Sequence, residues 1–592
     1  MLLIVLVNFF CEDFLSNAAY PGVSVLESTD PMPFRVHFEL FQGDDYECKN
    51  EGDFVDWGGD KGVCIKEDIV NNTTKSIFDS ILNSVSDFFL ELVKVNREPN
   101  IYVLPEYSKW FIPSKNVSKE FDLYIIVTMR PMSDEDVKIV SSPIALSMLN
   151  NRPVYGLINI NPRFLNQIST NQVTVLSQMM FHEVVHVMGF INRMYKYWLN
   201  RQNNDPYGES LPLYVYYSEN YPTKPHFILS TPKCHQYASK VFDSKLLSET
   251  IPIGIEIEDI NSTNISHPSS RMFFGELMTN SQSYPSVLSN LTLSIIEDMG
   301  WYYPNYSMAE PLLWIDTSIY GYSNNISSFS LPPYLLYPKN YICSSNETKK
   351  GISCSYDFSS PASCPLIENT CDNNETENEF CMNQPYYNPY NYTYQGERLF
   401  DYLPLKLSDS RFLCSDDSIT NYGYNQNFTA KFGMEFGSSS SCLNFEYYNN
   451  ENSINEYSGC FKTKCSHDNR SIEFFIFSNT YTCFQENQRI EISNNYGIKS
   501  IICPDPLLFC HYRSSLSDIP RTTIPQETES FVTLMTSYLS GDLNYADSDL
   551  ASALYASLSI VFIVTGSVYL SKVYCKNEET TFEADDNEHN FG

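Results

Sequence analysis

The sequence predicts an α+β protein with a mixed helix–strand N-terminal half, a disulfide-rich, mostly β C-terminal domain, and one C-terminal transmembrane helix. Three observations carry that expectation. Apolar runs of helical period and runs rich in β-branched residues both occur in the N-terminal half. Twelve of the 17 cysteines fall between Cys343 and Cys510. Near the end, the 22 residues from Leu550 to Ser571 carry no charge, which is long enough to cross a hydrocarbon core as a helix.

The chain has 592 residues, with 71 Asp and Glu against 38 Lys and Arg, a net charge of −33. Phosphate contacts need a basic surface, so nucleic acid is excluded as the main partner. A charged fraction of 18% beside a 43% apolar share also excludes wholesale disorder. The length implies several domains.

Met1 to Phe10 (MLLIVLVNFF) is too short to span a bilayer and suits the apolar core of a secretory signal, so residues 1–19 are read as a signal peptide. Between 77 and 94, Ile77, Ile81, Val85, Phe88, Phe89 and Leu92 share a helical face. Segments 122–129 (DLYIIVTM) and 153–160 (PVYGLINI) read as strands. Residues 173–188 (VTVLSQMMFHEVVHVM) have a helical pattern stopped by Gly189, and 291–300 form a second helix closed by Gly300. These elements outline an N-terminal subdomain over 34–189 and a central one over 190–310.

From 311 to 517 short apolar runs, many Asn, Ser and Tyr, and the cysteine cluster mark a separate domain. Its cysteines form no C-x-x-C pair, so disulfides in an oxidising compartment are expected rather than zinc ribbons. With Cys11 and Cys575 set aside, fifteen of the 17 remain, so one is unpaired or pairs between chains. Residues 518–549 read as a stalk, 550–571 as the membrane span and 572–592 as an acidic tail. Asp542, Asp547 and Asp549 precede the span, and Lys572 and Lys576 follow it. That bias places the tail in the cytoplasm and the bulk of the chain outside. All thirteen glycosylation sequons, from Asn71 to Asn469, lie on the outer side.

His182-Glu183-Val184-Val185-His186 is H-E-x-x-H on a predicted helix. Residues four apart share a helix face, so both imidazoles can reach one metal ion. Glu183 then lies beside the position left for water, where a carboxylate can act as general base. Phe181, Val184, Val185, Val187 and Met188 are apolar, as expected of a buried helix rather than a solvated edge. A catalytic zinc takes a third protein ligand. Asn192 occupies the last position of the compact pattern H-E-x-x-H-x-x-G-x-x-H. His37, His467, His511 and His589 are remote, which leaves His226, His235 and His267.

Glu276-Leu277-Met278-Thr279 follows, with Met278 eleven residues after His267. With this segment the sequence resembles the leishmanolysin family of metzincin surface zinc proteases. That family inserts a long segment between the glycine and the third histidine and closes with E-[LF]-M. The run Ile295-Ile296-Glu297-Asp298-Met299-Gly300-Trp301-Tyr302, then Ala309-Glu310 and Trp314, continues the resemblance, which covers roughly Phe34 to Cys510. It implies a metzincin-type catalytic module in which His182, His186 and His267 hold one Zn²⁺ per chain, with Met278 as the Met-turn. His235 and Glu276 stand as rival third ligands. It further implies that Val154–Ile160 is the edge strand along which a substrate lies, and that Cys48 pairs with Cys64. Pro268, directly after His267, departs from the pattern.

The leading expectation is a zinc endopeptidase of the plasma membrane, single-pass with its catalytic part outside, cleaving proteins or peptides. The alternative is an adhesion or recognition glycoprotein that keeps a protease fold and engages host or cell-surface ligands. The intact set of His182, Glu183 and His186 weighs against it, because decayed proteases usually lose such residues.

Overall fold

In the computed structural model residues 16–17 and most of 30–517 are described, with the longest omissions at 316–340, 369–393 and 416–429. They belong to one compact unit, Leu3–Glu529. The stalk, the 550–571 span and the tail lie outside the described residues, as does the signal segment apart from Ser16–Asn17. Among the described residues no helix is long and apolar enough to cross a membrane.

The N-terminal part is built on a mixed sheet of β1 (Val36–Leu40), β2 (Leu123–Thr128), β3 (Ile139–Leu146) and β4 (Pro153–Ile160), in the order β3-β4-β2-β1. β1, β2 and β4 run parallel, with Val36 opposite Leu123 and Tyr155 opposite Tyr124. β3 is antiparallel to β4. Two helices cover one face. Helix α1 (Asn72–Leu92) starts where Asn71 accepts the Thr74 amide, an N-cap that satisfies one of the free amides of the first turn. Its buried side includes Phe78, Ile81, Val85, Phe88 and Phe89. Phe89 stacks on Phe181 of α2 (Val173–Met188), ring centroids 4.7 Å apart.

Successive strand residues point to opposite faces, and here both faces are covered. Ile125, Val127, Ile158 and Ile160 join the helices in one core cluster. Tyr124, Ile126, Tyr155 and Leu157 join Leu104 and Phe121 in another. This is why PVYGLINI reads as an unbroken apolar run, and it corrects one expectation. Strand 153–160 is not the edge: every residue in it is buried, and β3 lies outside it. The sheet ends in Val36–Leu40 on one side and, on the other, in the strand that carries Ser141 and Ser142. Ser16–Asn17 pair with its far end, at Ala145 and Leu146.

Gly156 of β4 is where α2 closes on the sheet. A Cβ there would meet Val187 Cγ1 at 2.2 Å, and a valine in a helix has one preferred rotamer, so it cannot swing aside. Gly156→Ala should therefore destabilise the fold by about 1–3 kcal/mol through overpacking, measured as a lower midpoint in chemical denaturation. An unchanged midpoint would count against this packing.

The central part adds the antiparallel strands β5 (Leu213–Ser218), β6 (Tyr221–Leu229) and β7 (Ile255–Ile257). It also adds α3 (Pro232–Val241) and α4 (Asn290–Asp298). α3 borrows its cap from α4: the Asp298 carboxylate accepts the amides of Lys233 and Cys234, each at 2.8 Å, and the Thr231 hydroxyl at 2.6 Å. Cys234 is a buried free thiol.

The C-terminal part is a six-stranded antiparallel sheet running between Ser440 and Ile502. Disulfides Cys354–Cys442, Cys414–Cys460 and Cys465–Cys510 staple it to the segments around it, Cys483–Cys503 ties one of its strands to the end of another, and Cys343–Cys364 closes a loop before it. An aromatic cluster of Phe274, Trp314, Tyr341, Tyr356 and Tyr512 joins it to the central part. The Trp314 indole donates to the Arg271 carbonyl at 3.0 Å.

Candidate metal centre

α2 is apolar almost all round and buried throughout from Met179 to Met188, as its flanking residues suggested. His182 and His186 lie one turn apart on it. The helix ends at Gly189, whose φ of 127° turns the chain so that the Phe190 carbonyl accepts from His186 Nδ1 at 2.8 Å. His182 Nδ1 donates to the Leu277 carbonyl, also at 2.8 Å.

His267 comes from a separate strand-like segment held by β7. Its carbonyl accepts the Glu258 amide, and the Ser269 amide donates to Glu256, both at 2.8 Å. The Tyr195 hydroxyl anchors the Ile265 carbonyl at 2.7 Å. The three Nε2 atoms meet. His186 lies 2.8 Å from His182 and 3.1 Å from His267, and His182 lies 3.3 Å from His267. Among the described residues this is the one group of three side chains able to share a metal ion.

The donor set fits a cation. A neutral imidazole carries one N–H, and in His182 and His186 that hydrogen is committed at Nδ1 to a carbonyl. Their Nε2 atoms are therefore lone pairs facing each other, an arrangement that a positive ion between them resolves. Nitrogens held at about 2.0–2.1 Å around a tetrahedral zinc stand about 3.3 Å apart, close to the spacing found. Burial keeps the imidazoles neutral, pushing His182 down to about 4. His186 and His267 are also held well below the usual imidazole range, by burial first and by the neighbouring histidines second.

Glu183 is fully buried, and neither carboxylate oxygen has a hydrogen-bond partner among the described residues. Burial pushes its carboxyl up to about 8, and the nearby Ser141 hydroxyl of β3 partly offsets the shift. Below that value the metal-free side chain holds a proton, and a cation beside it expels the proton. Zinc binding near neutral pH should therefore release about one proton from Glu183, and affinity should rise with pH toward 8 by up to about tenfold per unit. Calorimetry in buffers of different ionisation enthalpy would show this proton, and its persistence in Glu183→Gln would assign it elsewhere.

The other candidates lie apart from the triad. His226 Nδ1 is 2.8 Å from Glu256, which also pairs with buried Arg271. His235 Nδ1 is 2.8 Å from the Ile253 carbonyl. Glu276 is occupied by the turn that follows it, where Met278 is fully buried. Cys48 and Cys64 are joined, with Cα atoms 5.7 Å apart. Sequence reasoning missed the carbonyls of Phe190 and Leu277, because main-chain acceptors leave no trace in residue identity. Ser141 carried a fainter signal, as a polar residue within an apolar strand.

A family model described as leishmanolysin, peptidase M8, matches residues 5–514. A leishmanolysin-like peptidase of Caenorhabditis elegans is 24% identical over 414 residues, and the match spans 61% of this chain and 61% of that protein. One of Drosophila melanogaster is 26% identical over 191 residues, 28% of this chain and 27% of its own length. A ciliated left-right organizer metallopeptidase of Xenopus laevis is 29% identical over 165 residues, 28% of this chain and 22% of its own.

Proposed function

Because the chain belongs to the leishmanolysin family of metallopeptidases, we propose that it is a zinc endopeptidase of the metzincin type. His182, His186 and His267 hold one Zn²⁺ and Glu183 serves as general base. The observation that carries this reading is the convergence of three buried, neutral Nε2 atoms next to an unpartnered carboxyl group.

When bound, zinc supplies Lewis acidity that lowers the pKa of water and polarises a peptide carbonyl. The chain's own groups do the rest. Glu183 takes a proton from the attacking water and returns it to the leaving amine, the role of a positioned general base and acid. The Leu277 and Phe190 carbonyls hold the His182 and His186 rings in the tautomer that presents Nε2. Met278 gives an apolar floor. The outer side of β3, over Ile139–Ser142, is the sheet edge to which an extended substrate would add as a strand.

The catalytic part belongs outside the cell on this reading, with 550–571 as a single anchor and 572–592 in the cytoplasm. The disulfides support an oxidising compartment. The test is zinc content and peptide hydrolysis by the purified full-length chain. Activity should vanish with a chelator and return with Zn²⁺. Hydrolysis that persists in a chain stripped of metal would sink the reading, as would a zinc-loaded chain that cleaves no peptide in a diverse library.

A further inference from the structure

Glu276 is buried, yet its carboxylate has a full set of partners. Oε2 accepts the Met278 amide at 2.7 Å. Oε1 accepts the Thr292 hydroxyl at 2.6 Å, the Ser289 hydroxyl at 3.2 Å and the Ser289 amide at 3.4 Å. Ser289 is the N-cap of α4, so the carboxylate sits at the start of that helix, where negative charge is favoured.

The Met278 N–H and the Leu277 carbonyl belong to one peptide group. That carbonyl is the acceptor for His182 Nδ1 at 2.8 Å. A trans peptide is planar, with its N–H and C=O pointing in opposite directions. Holding the N–H from one side therefore aims the carbonyl on the other. A hydrogen bond accepted from the N–H also polarises the group and makes its oxygen a better acceptor. We infer that Glu276 is a positioning residue for His182, acting through the 277–278 peptide and tying the His182 ring to α4. The inference rests on the reading of His182 as a metal ligand.

The experiment follows zinc release from the full-length chain into an excess of chelator, with Zn²⁺ as the probe. Partners of this kind affect metal affinity by about 10–100-fold, so Glu276→Gln should release zinc about that much faster. Its Co²⁺-loaded form should show altered visible absorption. Ile295→Val, a core change in the same helix, should lower the melting temperature while keeping the wild-type release rate and spectrum. Zinc release from folded Glu276→Gln at the wild-type rate would overturn the inference. Should that variant not fold, Thr292→Val, which removes one anchor of the carboxylate, decides: faster release supports the role and an unchanged rate refutes it. Failure of the underlying reading looks different, as a wild-type chain without zinc or a His182→Ala variant that retains it.

Discussion

Glu183→Gln should lower kcat/KM for peptide hydrolysis by about 10²–10⁴-fold, the usual contribution of a positioned general base, while zinc content stays at that of the wild type. The structure makes this substitution unusually clean. Neither carboxylate oxygen has a partner among the described residues, and the side chain is fully enclosed. Glutamine keeps the size of the side chain and an oxygen that the nearby Ser141 hydroxyl can reach, and it removes a group that is costly to ionise in the interior. The melting temperature of the metal-free variant should equal or exceed that of the wild type. A variant that keeps most of its activity would remove Glu183 from the mechanism. Any cell attachment that survives the substitution belongs to the protein surface and not to the zinc chemistry.

His267→Ala should empty the site. Two histidines on one helix would remain, and loss of a direct ligand should cost more than the roughly 100-fold associated with an outer partner. Zinc measured after dialysis should fall from about one per chain to near none, with activity lost in parallel. Stability gives a second readout. Zinc present at 100 times its Kd adds about 2.7 kcal/mol to folding, so added zinc should raise the melting temperature of the wild type and leave the variant unmoved. Zinc retained by the variant would remove His267 from the ligand set and return the choice to His235 or Glu276.

How much of this was legible in the sequence depends on distance along the chain. His182 and His186 are one helical turn apart, so spacing alone puts them on one face. His267 is a different case: 81 residues separate it from His186, and no periodicity reaches that far. Only the family resemblance singled it out from His226 and His235. The strands at 122–129 and 153–160 were visible as apolar runs. Their order was not: the resemblance implies an edge strand at 154–160, and composition could not correct it, because a buried strand and an edge strand differ in what covers them. The cysteine cluster announced disulfides, while their pairing depends on the register of the C-terminal sheet, where Cys442 and Cys460 stand opposite each other yet bond to Cys354 and Cys414. The backbone acceptors of the two helix-borne histidines were invisible for a simpler reason, that every residue has a carbonyl.

The long separation between the second and third histidines has a consequence for biosynthesis. His182 and His186 leave the ribosome well before His267, and the carbonyl that orients His182 lies 95 residues beyond it. A nascent chain thus holds only half a chelate until the strands and helix of 190–266 have folded. On the zinc reading, metal would bind only after that segment has folded, because the unfolded chain has no comparable site. A chain folded without zinc would then lack that final stabilisation, and its melting temperature would report the shortfall.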